Sequence, residues 1–322
     1  VRGVAELTVA AEAEAALRSL DDAEPTDLPA PESTADPLLL SAKLHGLPDS
    51  EREEARRTLD ADLTVQRNLL PAARHSLLAR QFCPLLPRIE IHLAELCFLM
   101  RSGDSDAVYL DRARLLAPSD AAIWFGAGLL DWHARRPEAA CRSWRHSLEL
   151  SDSYLVPILD LCGTNLSSAR ISAELLPDRP AILLAAAKHL YPGDDAVAER
   201  RPFLEKASGL LASESAPLSG EELWVKASLS RQLGDREAAL DAYRAALAHQ
   251  PRQVEWRYEY AACLFDQEQL QQALSQVEIV LDLSPGHAKA RQLSKLVRRA
   301  IAEGASRRDH RKVDQPSNRS SR

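Results

Sequence analysis

The sequence has little glycine, few aromatic residues and no long apolar run. Its 12 glycines among 322 residues are too few for a chain built from many β-turns or phosphate-binding loops. Its apolar residues are mostly Ala and Leu, which favour helices, whereas Val, Ile and Thr are sparse. No stretch approaches the roughly 20 apolar residues that cross a bilayer. These absences favour an all-α fold and predict no direct membrane insertion by this chain.

The cysteines lack the spacing of a metal site or a disulfide framework. There are five, an odd number, and no C-x-x-C pair occurs among Cys83, Cys97, Cys141, Cys162 and Cys263. Zinc sites and secreted disulfide scaffolds need closely spaced or paired cysteines. We therefore expect buried free thiols.

The negative charge lies on the body of the chain, and positive charge gathers at its C-terminal end. The net charge is −7, while the stretch 304–322 has six basic residues against Asp309 and Asp314. A phosphate-binding face needs a basic surface. The body is therefore not expected to bind nucleic acid.

Catalytic signatures are also missing. The sequence has no H-E-x-x-H, G-x-G-x-x-G, G-x-x-x-x-G-K-[ST] or G-x-S-x-G motif, which would indicate metal, dinucleotide, phosphate or nucleophile sites. The nine histidines are scattered along the chain. We therefore predict no enzyme activity, no catalytic residues, no cofactor and no metal.

The N-terminal part combines amphipathic stretches with a proline-rich segment. Residues 4–20 have helical periodicity, and 21–37 alternate acids with four prolines, which is typical of an extended linker. Helices are predicted to resume near Leu38. Ser50 and Glu53 form a capping-box pattern for a helix that runs to about Leu70.

The region from 87 to about 300 repeats with a period of 34 residues. The clearest steps join Ala239 to Ala273, Leu247 to Leu281 and Pro251 to Pro285. A position for a small residue holds Ala94, Gly128, Ala227 and Ala261. A position for a large residue, 16 later, holds Leu110, Trp144, Tyr243 and Val277.

At these residues the sequence resembles the tetratricopeptide repeat family, whose repeat is 34 residues long and forms a helix–turn–helix. The resemblance implies an α-α superhelical solenoid in which small residues allow close helix approach and a large residue fills the gap. A capping helix over the last repeat is expected. The predicted organisation is 1–20 helix, 21–37 linker, 38–86 helical region, 87–151 two repeats, 152–219 degenerate repeats, 220–287 two clear repeats, 288–303 capping helix and 304–322 disordered basic tail.

The sequence departs from the family pattern at two kinds of position. The family's glycine before the second helix is present at Gly234 but replaced by Arg135 and Glu268. Between 152 and 219 the spacing is irregular, and Phe203 is taken as the large residue there. Ser219 with Glu222 predicts a capping box where regular repeats resume.

The resemblance also implies which residues meet a partner. In this family the first helix of each repeat lines a concave face, which suits a peptide or helix of another protein. Carried over to this sequence, that face predicts a partner-binding groove of Phe98, Phe125, Trp132, His133, Trp224, Arg231, Tyr258 and Phe265. The alternative is that some of these aromatics pack between neighbouring repeats. The leading interpretation is a non-catalytic interaction scaffold.

A second interpretation rests on WRHSLELSDSYLVPIL and ELLPDRPAILLAAAKHL. These stretches are similar to the extramembrane repeat tail of bacterial O-antigen-type ligases and polymerases. This resemblance implies that the chain is the soluble, periplasmic part of a longer membrane protein, whose membrane spans would lie upstream of Val1. Otherwise the unpaired cysteines favour the cytoplasm. The richness in Ala, Arg and Leu indicates a bacterium with a GC-rich genome. An independent soluble enzyme is the third interpretation.

Overall fold

The chain folds into helices grouped in two compact units. The structure, a computed structural model, describes residues 36–100, 105–193 and 196–313. Over these ranges every regular element is a helix and no strand is present, which confirms the all-α helical-repeat prediction. The units comprise Val1–Pro177 (unit 1) and Asp178–Arg322 (unit 2). The predicted helix at 1–20 and the linker up to residue 35 lie outside the described residues.

Unit 1 contains nine α-helices within the described residues, several of which begin with proline at the first turn, where the missing N–H does no harm. The helices are α1 (Pro37–Gly46), α2 (Asp49–Ala61), α3 (Leu70–Phe82), α4 (Pro87–Glu95), α5 (Asp106–Leu116), α6 (Ala121–His133), α7 (Pro137–Leu150), α8 (Leu155–Cys162) and α9 (Ser168–Arg170). Short 3₁₀ turns lie at Cys97–Leu99 and Asp152–Tyr154, and π-helical turns at Val65–Leu69 and Ile171–Leu175.

Unit 2 contains seven α-helices within its described part. They are α10 (Pro180–Leu190), α11 (Val197–Ser213), α12 (Gly220–Gln232), α13 (Arg236–His249), α14 (Val254–Asp266), α15 (Leu270–Leu283) and α16 (Ala288–Val313). Successive helices pack as pairs, α10 with α11, α12 with α13 and α14 with α15, and α16 packs on α15. One apolar core runs through α12 to α16.

Local signals explain where the α12–α13 pair begins and turns. The predicted capping box is confirmed: the Ser219 hydroxyl accepts from the Glu222 N–H at 3.3 Å, and the Glu222 carboxylate accepts from the Ser219 N–H at 2.8 Å. Asp235 caps α13 by accepting from the Ala238 N–H at 3.1 Å. Both caps satisfy backbone donors that the first turn of a helix leaves unpaired.

Small and large residues fill the predicted positions in the paired helices. Trp144 on α7 is fully buried, and a Cβ added at Gly128 on α6 would lie 2.4 Å from its Cδ1. Tyr243 is 1% exposed and packs in the same core cluster as Ala227. Phe203 is also fully buried. The core therefore depends on the small residues, which allow helices to approach closely.

Three turns between paired helices share a left-handed backbone conformation, although only one of them contains glycine at that position. Gly234 has φ 86°, and Arg135 and Glu268, which replace the family's glycine, have φ 58° and 59°. This left-handed region disfavours side chains that carry a Cβ. The packing of the helices therefore imposes the turn on two residues that do not favour it.

Two predictions about the helix ends were wrong. α2 begins at Asp49 after an extended Pro48, with no side-chain cap, so Ser50 lies inside the helix and cannot cap it. The same helix stops at Ala61 instead of reaching Leu70, because the Asp62 side chain accepts from the Thr64 N–H at 2.7 Å and starts a new turn.

The C-terminal helix is longer than the predicted capping helix. α16 continues to Val313, whereas disorder was predicted from residue 304. The stretch 304–313 contains no proline and has three Arg and one Lys, which are strong helix formers. The remaining tail, 314–322, lies outside the described residues.

All five cysteines are free thiols, as predicted. Cys141, Cys162 and Cys263 are buried, while Cys83 and Cys97 are half-buried. Burial raises the pKa of the Cys162 thiol to about 12, so this thiol stays protonated at neutral pH.

Candidate functional site

In unit 2, side chains connect the first helices of successive repeats. The Lys188 ammonium of α10 lies 5.6 Å from the centroid of the Trp224 ring on α12. Trp224 stacks on Trp256 of α14, with ring centroids 6.1 Å apart and planes at 12°. Tyr258 of α14 lies 5.0 Å from His287, the residue before α16. The first helices therefore lie side by side and form one surface.

Glu259 is the centre of the polar contacts on this surface. Its Oε2 atom accepts from Trp224 Nε1 at 2.9 Å, from the Ser228 hydroxyl at 3.1 Å and from the Tyr243 hydroxyl at 3.2 Å. Burial, and then the Glu259 carboxylate, raise the pKa of Tyr243, so its hydroxyl remains a donor. Three neutral donors therefore fix the orientation of one partly exposed carboxylate.

The second Glu259 oxygen faces a cation. Oε1 lies 3.9 Å from Lys188 Nζ, which is longer than a hydrogen bond. The side chain of Lys188 is 46% exposed and that of Glu259 is 25% exposed. A pair this open to water contributes little to stability.

A second charged pair lies further along the same two helices. Arg231 Nη2 on α12 donates to Asp266 Oδ2 on α14 at 2.6 Å. Burial lowers the pKa of Arg231, but the Asp266 carboxylate outweighs it, so the pKa is raised overall. We call this surface the first-helix face of unit 2 and define it by the residues Lys188, Trp224, Ser228, Arg231, Glu259 and Asp266.

The structure brings two of the predicted groove residues, Trp224 and Arg231, onto this face. The other two in unit 2, Tyr258 and Phe265, lie on α14 beside it. Trp224, Tyr258 and Phe265 are half-buried and also pack against the core of the unit. These aromatics therefore support the repeat packing and still present part of their surface to solvent.

In unit 1 the predicted groove residues make internal contacts. Phe125 stacks on Tyr154 with centroids 4.7 Å apart, and Trp132 lies 5.5 Å from Trp144 of its own repeat. His133 is the half-buried last residue of α6. Phe98 lies in the 3₁₀ turn after α4, because α4 ends at Glu95. The predicted helical position at Phe98 assumed a longer helix.

A helix of unit 1 itself packs on these first helices. α1 contacts both α4 and α6, and its Leu38 packs against their apolar cluster. A Cβ at Gly46, the last residue of α1, would lie 3.7 Å from Arg135 Nη2. The first helices of unit 1 therefore already have an intramolecular neighbour.

One buried carboxylate of unit 1 is held by hydrogen-bonded arginines. Asp131 on α6 is 2% exposed and accepts from Arg114 and from Arg136 Nε, the latter at 2.8 Å. Arg136 also donates to both oxygens of Asp106 at 3.2 and 2.7 Å. These contacts join α5 and α6 and leave the carboxylates engaged in ion pairing.

A second buried carboxylate is paired less completely. Glu90 on α4 is 1% exposed, and its Oε1 lies 3.1 Å from Arg80 Nε and 2.9 Å from Arg112 Nε. Despite these short distances, neither carboxylate oxygen accepts a hydrogen bond within the described part of the chain. Burial raises the pKa of Glu90, and the two arginines only partly oppose this.

Across the described ranges, no three His, Cys, Asp or Glu side chains are placed to hold a metal ion. The same ranges contain no helix with the length and apolar content needed to cross a bilayer.

Sequence reasoning missed Lys188, Ser228 and Glu259. The repeat register places Val225 where the next repeat has Glu259, so no repeated polar position marks the carboxylate. Its donors Trp224, Ser228 and Tyr243 come from α12 and α13, while Glu259 lies on α14, and only the packed structure brings them together. The repeat register did place Arg231 and Asp266 on successive first helices; they are opposite charges 35 residues apart, close to one repeat length.

Helix pairs stacked through their first helices define a helical-repeat chain. Residues 230–296 match the family model described as tetratricopeptide repeat, which supports the predicted resemblance over the clear repeats. The O-antigen-type resemblance stays a prediction. A comparison with curated protein sequences finds no match.

Three solved structures share similarity with the chain at low identity. YrrB, described as a TPR protein with an unusual peptide-binding site, is 18% identical, with 60% of this chain and 84% of that chain covered and a TM-score of 0.33. The APC/C hetero-tetramer Cut9-Hcn1 is 13% identical, with 82% and 63% covered and a TM-score of 0.36. Yeast Tom70 is 15% identical, with 91% and 70% covered and a TM-score of 0.38.

Proposed function

We propose that this chain is a non-catalytic interaction scaffold that binds a peptide or helix of a partner protein on the first-helix face of unit 2. The observation that carries the proposal is the Glu259 cluster, in which Trp224 and Ser228 hold a partly exposed carboxylate. A fixed carboxylate beside an aromatic ring provides both apolar surface and directional hydrogen bonding, which peptide-binding surfaces combine.

Unit 2 is favoured over unit 1 for two reasons. In unit 1, α1 packs on the first helices α4 and α6. In unit 2 the side chains of Arg231 and Asp266 remain 37% and 49% exposed. Exposed charged groups next to half-buried aromatics are typical of the rim and core of a binding surface.

The experiment compares the partners captured by the wild-type chain and by the double variant Trp224→Ala/Arg231→Ala, with Trp132→Ala as the control in unit 1. We expect the double variant to lose the partner that the wild type and the control retain. Thermal melts check that each variant is folded. A folded double variant that captures the same partners in the same amounts would refute the proposed face.

A further inference from the structure

We infer that the first-helix face of unit 2 contains a site for one basic side chain of the partner, an arginine or a lysine, formed by the Glu259 carboxylate and the Trp224 ring. The inference rests on the proposed function and adds the chemistry of the partner to it.

The carboxylate is oriented in advance for a cation. Its Oε2 atom accepts three hydrogen bonds, all from neutral donors, so its orientation is fixed while its charge is not neutralised by these contacts. Charge-assisted hydrogen bonds to such a group are shorter and stronger than neutral ones. The entropy of orienting the group has already been lost in folding.

Lys188 shows that a cation fits this position. Its ammonium lies within cation–π range of the Trp224 ring, 5.6 Å from the centroid. It also faces Glu259 Oε1 at 3.9 Å, without a hydrogen bond. Lys188 therefore occupies the site loosely, and its exposed side chain can move into water.

A partner's basic side chain makes a contact that Lys188 does not make. A guanidinium can donate to Glu259 Oε1 and stack on the indole face of Trp224 at once, because its fork is planar. The neighbouring acid Asp266 is already hydrogen-bonded by Arg231 at 2.6 Å. The Glu259 carboxylate is therefore the acid on this face that a partner's cation engages.

The first part of the test selects random short peptides, displayed on phage, against the full chain. Peptides that bind the proposed face are those that lose binding to the folded Trp224→Ala/Arg231→Ala variant. We expect these peptides to share one Arg or Lys flanked by apolar residues. If no such peptides emerge, the proposed function and this inference both fail. If they emerge without a recurring basic residue, the inference fails and the proposed function stands.

The second part replaces the recurring basic residue of one selected peptide by citrulline or norleucine, which removes its charge. Binding to the wild-type chain should weaken about tenfold, as for the loss of a charge-assisted hydrogen bond. The same peptide change should have little effect on binding to Glu259→Gln. The control is Glu255→Gln, one turn earlier on α14 and exposed, which should retain the tenfold loss.

Removal of the internal cation gives an independent result. Lys188→Ala empties the site without disturbing the buried core, so the basic peptide should bind this variant more tightly than the wild type. Affinity that is unchanged or weaker would overturn the inference. This measurement decides the matter even if Glu259→Gln fails to fold.

Discussion

The Trp144 ring lies directly against the backbone of Gly128, where a side chain of even one carbon would come within 2.4 Å of it. Trp144 also donates from Nε1 to the Phe125 carbonyl at 3.2 Å, so the ring cannot easily shift. The contact joins α6 and α7 and makes glycine necessary at this small position.

Gly128→Ala should therefore lower the free energy of unfolding by about 1–3 kcal/mol through overpacking. The control lies two residues away on the same helix: a Cβ at Gly126 would meet its nearest atom, Ile91 Cγ2, at 3.8 Å. Gly126→Ala should stabilise by up to about 1 kcal/mol because alanine favours helix. Urea denaturation of both variants measures the difference, and equal effects would contradict the close packing.

Substitutions at two of the left-handed turns should change the stability in opposite directions. Glu268→Gly should stabilise by about 1 kcal/mol, because Glu268 holds φ 59° at an exposed site that glycine adopts more readily. Gly234→Ala, at φ 86°, should destabilise by a similar amount. Thermal melts check both variants. A Glu268→Gly variant less stable than the wild type would show that this side chain has a role that outweighs its backbone strain.

The capping box provides a matched pair of serines. Ser219→Ala should lower stability by about 1 kcal/mol, since it removes the acceptor for the Glu222 N–H. Ser50→Ala should change stability by less than about 0.5 kcal/mol, because Ser50 lies exposed inside α2 and caps nothing. Chemical denaturation distinguishes the two. A comparable loss for Ser50→Ala would contradict the observed start of α2 at Asp49.

Glu90 predicts a pH dependence of stability. Its pKa is raised from 4.5 in the folded chain, so the unfolded chain ionises this carboxyl first as the pH increases. The stability associated with Glu90 is therefore fully present below about pH 4.5 and falls as the pH rises through the raised pKa. Glu90→Gln removes this titration.

The free energy of unfolding of the wild type minus that of Glu90→Gln, measured by denaturation at several pH values, should decrease from acidic to neutral pH. A difference that increases with pH would mean that Arg80 and Arg112 dominate over burial and lower the pKa of Glu90.

The fold could be predicted where one local signal repeats. The spacing of Ala239, Tyr243 and Pro251 is found again 34 residues later, and it predicted the α12–α15 helices. It could do so because the size of the residue at each repeated position reveals its steric role. The capping box at Ser219 could be predicted because Ser219 and Glu222 form a pattern within a single helix turn. The pattern at Ser50 misled, because Pro48 takes the extended conformation that a cap requires and moves the start of the helix.

The candidate site could be predicted only in part. The family register placed Trp224 and Arg231 correctly on first helices, because that position depends on the helix period alone. It could not reveal Glu259, whose donors Ser228 and Tyr243 belong to different helices and meet only after the helices pack. Nor could it reveal that α1 contacts α4 and α6, since no periodicity specifies which helix an N-terminal segment packs against.

Site-specific photocrosslinking tests the central claim most directly. A benzophenone amino acid replaces Phe265, beside the first-helix face of unit 2, or Leu283, which is 42% exposed on α15, the second helix of the same repeat. We predict that the partner crosslinks to position 265 and not to position 283. Equal crosslinking at both positions, or crosslinking at 283 alone, would contradict binding on the first-helix face.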